Sequence, residues 1–266
     1  MAFADTLNQL EDVQGEGPRK ILSLYLNTDR SSPEQQAGEW KIRLKNGLKR
    51  LEEAIGKSGS PDEQQAFSSL KKHVNKEVLE REPQMEKGLL LFANPDRSVW
   101  QVHILSVPVE TEFRWEEKAV LEPFYELTNR YPLTGIILVQ NQSVRVIATE
   151  MGTILSSDQY EWDPEAEDWK KHEGPHKADA SMGSGNNTKR DKYDDRYQAI
   201  QQRWLKSLAP RIDRFAKRHH WQRIILTGEK GATRELENHL HLQANKILDK
   251  NLANRKDHEI VAALAS

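Results

Sequence analysis

Between Leu155 and Asp191 the chain loses all hydrophobic periodicity for 35 residues, Ser156 to Arg190. Structureless stretches beyond about 15 residues are uncommon inside a compact domain and are usually functional or disordered. What lies on either side limits the fold further. Before the stretch stand three short apolar runs, Gly135 to Val139, Ser143 to Ala148 and Gly152 to Leu155, with Asn141-Gln142 turning the first into the second. Such a series predicts an antiparallel meander. After it, Tyr193, Tyr197, Ile200, Trp204, Leu208, Ile212 and Phe215 form the apolar stripe of a helix of about 28 residues, Asp191 to Arg218, with a kink predicted at Pro210. A strand (Arg223 to Thr227), a helix (Ala232 to Leu240), a strand (Asn245 to Leu248) and a helix capped by Asp257 follow. This order predicts a mixed sheet covered by helices.

Upstream, Lys20 to Leu26 alternates as a strand. Ile42, Leu44, Leu48, Leu51 and Ile55 mark a helix over Glu34 to Ile55, and Phe67, Leu70, Val74 and Val78 a second over Asp62 to Glu80. Strands are predicted at Gly88 to Ala93 and Val99 to Val107, joined by the turn Asn94-Pro95-Asp96-Arg97. Thr111 to Lys118 reads as a connector, and Ala119 to Asn129 as a short helix. The predicted class is therefore α/β (α+β), with a small N-terminal α/β domain over residues 1–112 and a second domain over 113–266 carrying the loop 156–190.

Composition narrows the function. The 266 residues are 36% hydrophobic, enough for two cores. No apolar run reaches membrane-spanning length, and the N-terminus lacks the basic and apolar regions of a signal peptide. The absence of Cys excludes a disulfide framework and thiolate metal sites. The expected compartment is the cytoplasm, with no membrane partner. Net charge is −2, which excludes a globally basic nucleic-acid binder, yet Lys170 to Arg223 holds 14 Lys and Arg against 6 Asp and Glu. That asymmetry points one face of the protein at a polyanion.

Motifs for titrating chemistry are weak. His219, His220, His239 and His241 lie near helix ends, where the helix dipole favours them, and no HxxxH or HExxH spacing occurs. The acidic clusters fall on connectors and the loop, whereas two-metal nucleases aim acids from strands into one cleft. No metal or cofactor is expected. Gly228-Glu-Lys-Gly231, between a strand and a helix, reads either as a plain turn or as an anion cup, and lacks the full Walker pattern. The loop tip Met182-Gly-Ser-Gly-Asn-Asn187 combines backbone freedom with two non-titrating amides, and Lys189, Arg190 and Lys192 follow it.

The element order around this loop resembles the middle domain of the archaeo-eukaryotic peptide-chain release factors and Pelota. Ser23-Leu-Tyr-Leu-Asn-Thr-Asp29 and Gly38-Glu-Trp-Lys-Ile-Arg-Leu-Lys-Asn-Gly47 are similar to the N-terminal unit of their bacterial relatives, which include a Vms-like branch. The resemblance implies an RNase H-like middle domain whose protruding loop enters the peptidyl-transferase centre of the large ribosomal subunit. In the family a Gly-Gly-Gln triplet positions the water that attacks the peptidyl-tRNA ester. Here the matching positions are Gly185, Asn186 and Asn187. Asn187 keeps the amide on a side chain one methylene shorter than Gln. Lys189, Arg190, Lys192 and Arg196 are the residues implied to contact tRNA and rRNA phosphates. The N-terminal unit carries no Asn-Ile-Lys-Ser stop-codon reader, and no third domain is expected. The implied function is stop-codon-independent action on peptidyl-tRNA in ribosome rescue or quality control. A non-catalytic ribosome-binding or hibernation factor and a tRNA-cleaving nuclease on the same scaffold are the alternatives. Oligomeric state is left open.

Overall fold

The computed structural model describes residues 3–31, 38–162 and 186–264, with side chains in the long helix described from Tyr197 onward. Contacts divide the chain into two units, Met1–Arg130 with Met151–Thr153, and Tyr131–Glu150 with Ile154–Ser266. Each unit holds one sheet, and the class is α+β.

The first unit is an antiparallel sheet in the order β3-β2-β1-β4. Its strands are β1 (Ile21–Asn27), β2 (Gly88–Ala93), β3 (Trp100–Leu105) and β4 (Glu112–Glu116). Helices α2 (Glu39–Ser58) and α3 (Pro61–Glu80) cover one face. There Leu22, Leu24, Leu26, Leu89 and Leu91 meet Trp40, Leu44, Leu48, Phe67, Leu70 and Val74. Helix α3 starts as its sequence dictates: Ser60 accepts the Glu63 backbone N–H at 3.2 Å, and Pro61 opens the first turn.

The other face is aromatic. Tyr25 meets Phe92 edge-on at 5.7 Å, Phe92 stacks with Phe124 at 6.1 Å, and Phe124 meets Phe3 edge-on at 6.0 Å. Phe3 and Phe124 come from α1 (Phe3–Glu11) and α4 (Glu122–Arg130). Burial drives the Tyr25 phenol's pKa well above its usual value, and its hydroxyl donates to the Val120 carbonyl at 2.6 Å.

Two findings differ from expectation in this unit. Residues Phe3–Glu11, for which no element was predicted, form α1; the buried Phe3, Leu7 and Leu10 carry its short stripe. The expected connector Thr111 to Lys118 contains β4, which pairs with β1 from Ile21↔Glu116 to Tyr25↔Glu112. Phe113 and Trp115 alternate with Glu112, Arg114 and Glu116, a period of two that marks a strand. The expected 112/113 boundary thus falls inside a strand of the first sheet, and the division by contacts follows Arg130.

The second unit is a five-stranded sheet in the order β7-β6-β5-β8-β9. Its strands are β5 (Thr134–Val139), β6 (Ser143–Glu150), β7 (Thr153–Glu161), β8 (Arg223–Gly228) and β9 (Lys246–Leu248). β5 pairs antiparallel with β6 and parallel with β8, and β8 parallel with β9. Numbered within this unit the order is 3-2-1-4-5, a mixed sheet covered by helices, as the element order predicts. β5 is buried on both faces, which explains its unbroken apolar run. Ile137 and Val139 face Leu205, Leu208 and Ile212 of α5 (Asn186–Arg218) and Leu236 of α6 (Lys230–His239). Ile136 and Leu138 face Ile260, Val261 and Leu264 of α7 (Asp257–Leu264).

Of the loop expected over 156–190, both ends belong to regular elements, and residues 163–185 lie outside the described ones. β7 continues to Glu161, and α5 begins at Asn186. No Gly or Pro lies between Gly185 and Pro210, so nothing stops the helix from extending back to the glycine tip. The helix also continues through Pro210.

Candidate functional site

The end of β7 and helix α5 meet at one end of the second sheet. At the close of β7, Trp162 is 6% exposed. Its ring stacks on Trp204 with centroids 6.2 Å apart and lies 5.1 Å from Tyr197. Both partners belong to α5, so the strand that leads into the loop is tied to the helix that leads out of it. The Trp162 backbone N–H donates to Gln142 O at 2.9 Å, and Gln201 Nε2 of α5 donates to Asn141 O at 2.9 Å. The β5–β6 turn is thereby clamped between the two ends. Predicting this triad from the sequence was possible only in part: Tyr197 and Trp204 belong to the helical stripe, but Trp162 lies beyond any period.

Helix α5 separates apolar from cationic surface. Leu205, Leu208, Ala209, Ile212 and Ala216 are buried. Arg203, Lys206, Arg214 and Lys217 are exposed on the opposite face, and Arg211 and Arg218 are exposed beside them. From Tyr197 to Arg218 the helix contains one acid, Asp213, which is 5% exposed. Asp213 accepts from the His241 backbone N–H and Nδ1 at 3.0 and 2.9 Å and from Leu242 N at 3.2 Å, so it fastens α5 to the segment after α6 and leaves the outer face basic.

Of the residues singled out in the sequence, Gly185 lies outside the described residues. Asn186, Asn187, Lys189, Arg190, Lys192 and Arg196 lie in the first turns of α5 rather than in a loop, with side chains outside the described set. His219 and His220 form the turn that follows the same helix, His220 with a φ of 53°. Among the described residues no group of three or more His, Cys, Asp or Glu is placed to hold a metal ion, and no helix is long and apolar enough to cross a membrane.

A polar cleft of about 710 Å³ opens at the carboxyl ends of β5, β8 and β9. Gln140, Asn141 and Gln142 line it from the β5–β6 turn, Gly228, Glu229 and Lys230 from the start of α6, Asp249 and Asn251 from beyond β9, and Glu161 and Trp162 from the end of β7. Gly228 has a φ of 122°, and a Cβ there would sit 2.0 Å from Val139 O, so the turn requires glycine.

A two-unit α+β protein, with a mixed five-stranded sheet whose β7 end packs against a basic helix, is the class that fold and site define. Residues 132–266, nearly the whole second unit, match bacterial archaeo-eukaryotic release factor family 5. The chain belongs to this family. It is 36% identical over 264 residues to an uncharacterized protein, YocB, of Bacillus subtilis (strain 168), covering 99% of this chain and 98% of the relative. Among solved structures, it is similar to an archaeal translation termination factor, aRF1, with 12% identity and a TM-score of 0.33 over 98% of this chain and 72% of that one. A second archaeal protein is similar at 11% identity and a TM-score of 0.34, with the same coverage.

Proposed function

We propose that this chain is a ribosome-associated, release-factor-like protein that acts on peptidyl-tRNA in ribosome rescue or quality control, independently of stop codons and in the cytoplasm. The observation that carries the reading is the clamp of Trp162 on Tyr197 and Trp204. It ties Trp162, before the glycine-tipped segment, to Tyr197 and Trp204, after it. Residues Asn186 to Arg196 of α5 precede these contacts, and at about 1.5 Å per residue they carry the helix roughly 16 Å beyond the clamp. A basic helical arm of that kind suits entry into an RNA-lined cavity.

In this reading Gly185 lets the backbone approach the tRNA 3′ end closely. Asn187, with Asn186, orients the water that attacks the ester carbonyl, and the tRNA ribose oxygen leaves. Amide and backbone dipoles support this without a titrating base. Lys189, Arg190, Lys192 and Arg196 contact tRNA or rRNA phosphates of the large subunit near the peptidyl-transferase centre. Arg203, Lys206, Arg214 and Lys217 extend the same cationic contact. Asn187 in place of Gln favours a second reading, in which the protein occupies the site without releasing peptide. A catalytic group misplaced by about 1 Å can lose on the order of 100-fold in rate.

The deciding experiment incubates the full chain with ribosome-bound peptidyl-tRNA and resolves the products. Free peptide with intact tRNA supports release, and binding without product supports occupancy. Shortened tRNA would favour a nuclease instead. Failure to sediment with ribosomes or large subunits at low salt removes the reading altogether.

A further inference from the structure

None of the residues assigned to release is among the described residues that line the cleft at the carboxyl ends of β5, β8 and β9. The chain leaves β5 toward β6 on one side and leaves β8 toward β9 on the other. The crevice between β5 and β8 is thus a topological switch point, where connections diverge and open α/β sheets bind ligands. β8, α6 and β9 form a parallel βαβ unit. Its first turn is Gly228-Glu-Lys-Gly231, and Asp249 stands just past the end of β9, 21 residues after Gly228. In nucleotide-binding βαβ units the first turn holds phosphate at a helix N-terminus, and an acid about 20 residues on accepts from a ribose hydroxyl.

Three observations give this site chemical content. The N-cap residue of α6, Glu229, makes no side-chain cap hydrogen bond, so the first-turn N–H groups can serve as donors beside the exposed Lys230 ammonium. Trp162 forms part of the cleft wall, and among the described residues its buried indole N–H has no acceptor. A buried donor of this kind costs free energy unless a bound group satisfies it. The β5–β6 turn presents the amides of Gln140 and Gln142, which can donate and accept as a base edge requires.

We propose that this cleft binds a ribonucleotide. The phosphate sits at the α6 N-terminus beside Lys230, the ribose hydroxyls donate to Asp249, and the base meets the amides of the β5–β6 turn. The carboxylates of Glu161, Glu229 and Asp249 around one lysine disfavour additional negative charge. The cleft therefore selects a monophosphate over a triphosphate. The same chemistry is offered by a free nucleoside monophosphate and by the 3′-terminal nucleotide of an RNA.

Isothermal titration of the full chain with AMP, CMP, GMP and UMP, their 2′-deoxy counterparts, ATP and a hexaribonucleotide tests this. The expected result is saturable binding of at least one ribonucleoside monophosphate, weaker binding of ATP, and a preference for ribo over deoxy. Lys230→Ala weakens binding by about tenfold, the loss of roughly one charge-assisted hydrogen bond. Asp249→Ala abolishes the ribo-over-deoxy preference. Both side chains are exposed, so unchanged thermal melts of the variants keep the comparison valid. Comparable affinities for monophosphate and hexamer assign a free nucleotide; a hexamer preference above about tenfold assigns an RNA end. The proposal fails if neither monophosphates nor the hexamer saturate at millimolar concentration. It also fails if ATP binds best, or if Asp249→Ala leaves the sugar preference intact. None of these readouts depends on peptide release, so the site stands or falls separately from the proposed function.

Discussion

Trp162 stacks on Trp204 at 6.2 Å with an interplanar angle of 25°, joining the last residue of the strand side to the helix that carries the candidate catalytic amides. Replacing Trp162 with Ala empties a buried aromatic site. A loss of about 3–5 kcal/mol is expected for a large aromatic truncation. Chemical denaturation of the full chain measures it. A loss below about 1 kcal/mol would mean that the ring is not part of the core that holds the loop.

Asn187 is the position whose chemistry the proposed function most depends on. In the peptidyl-tRNA assay, Asn187→Gln is expected to raise release by up to about 100-fold by restoring side-chain reach, whereas Asn187→Ala lowers it below the parent. Equal rates for parent and Ala variant would remove this residue from catalysis and leave the occupancy reading.

The basic face of α5 predicts a salt-dependent affinity for ribosomes. Lys189→Ala with Arg190→Ala, and separately Arg203→Ala with Lys206→Ala, should weaken co-sedimentation. Each pair should lower the slope of log affinity against log salt by about one to two units. An unchanged slope for both pairs means that this face does not meet the RNA.

Gly47 on α2 faces the edge of Phe113, and a Cβ there would lie 2.3 Å from the ring. Gly47→Ala therefore forces α2 away from β4. Overpacking of this kind costs about 1–3 kcal/mol, readable as a lower denaturation midpoint. A neutral or stabilising effect, from better helix propensity alone, would contradict the close approach.

His103 lies under α1, with its Nε2 3.2 Å from Thr6 Oγ1 and its ring 5.4 Å from Phe3. Burial, above all, holds its pKa below the ordinary histidine value of about 6.5. The folded state then binds fewer protons than the unfolded state between the two pKa values. Stability is full above about 6.5 and is lost as pH falls through the lowered folded value. Thermal melts from pH 7 to 5 should show this loss, and His103→Gln should flatten it. An equally steep profile in the variant assigns the effect elsewhere.

Much of the fold was readable because burial imposes a period. The doubly buried run of β5, the stripes of α2, α3 and α5, and the Asn94–Arg97 turn all stand in the chain as patterns. In that turn, Asn94 Oδ1 accepts from Val99 N at 2.9 Å, and Asp96 Oδ1 from Ser98 N at 3.0 Å. β4 and α1 were missed because each is short, and one residue pair or three residues carry the signal. The start of α5 was displaced because Asn186 and Asn187 were grouped with the preceding glycines, although nothing after Gly185 breaks a helix.

By itself, the sequence determined most of the succession of elements, the glycine tip with its amides, and the excess of cations around it, since these are properties of neighbouring residues. Tertiary structure alone decided that Trp162 locks onto Tyr197 and Trp204, that Asp213 turns inward to His241, and that residues as distant as Gln140, Lys230 and Asp249 share one cleft. Those relations depend on strand order. No local period encodes which strand ends lie side by side, because that is set only when both faces of the sheet are buried at once.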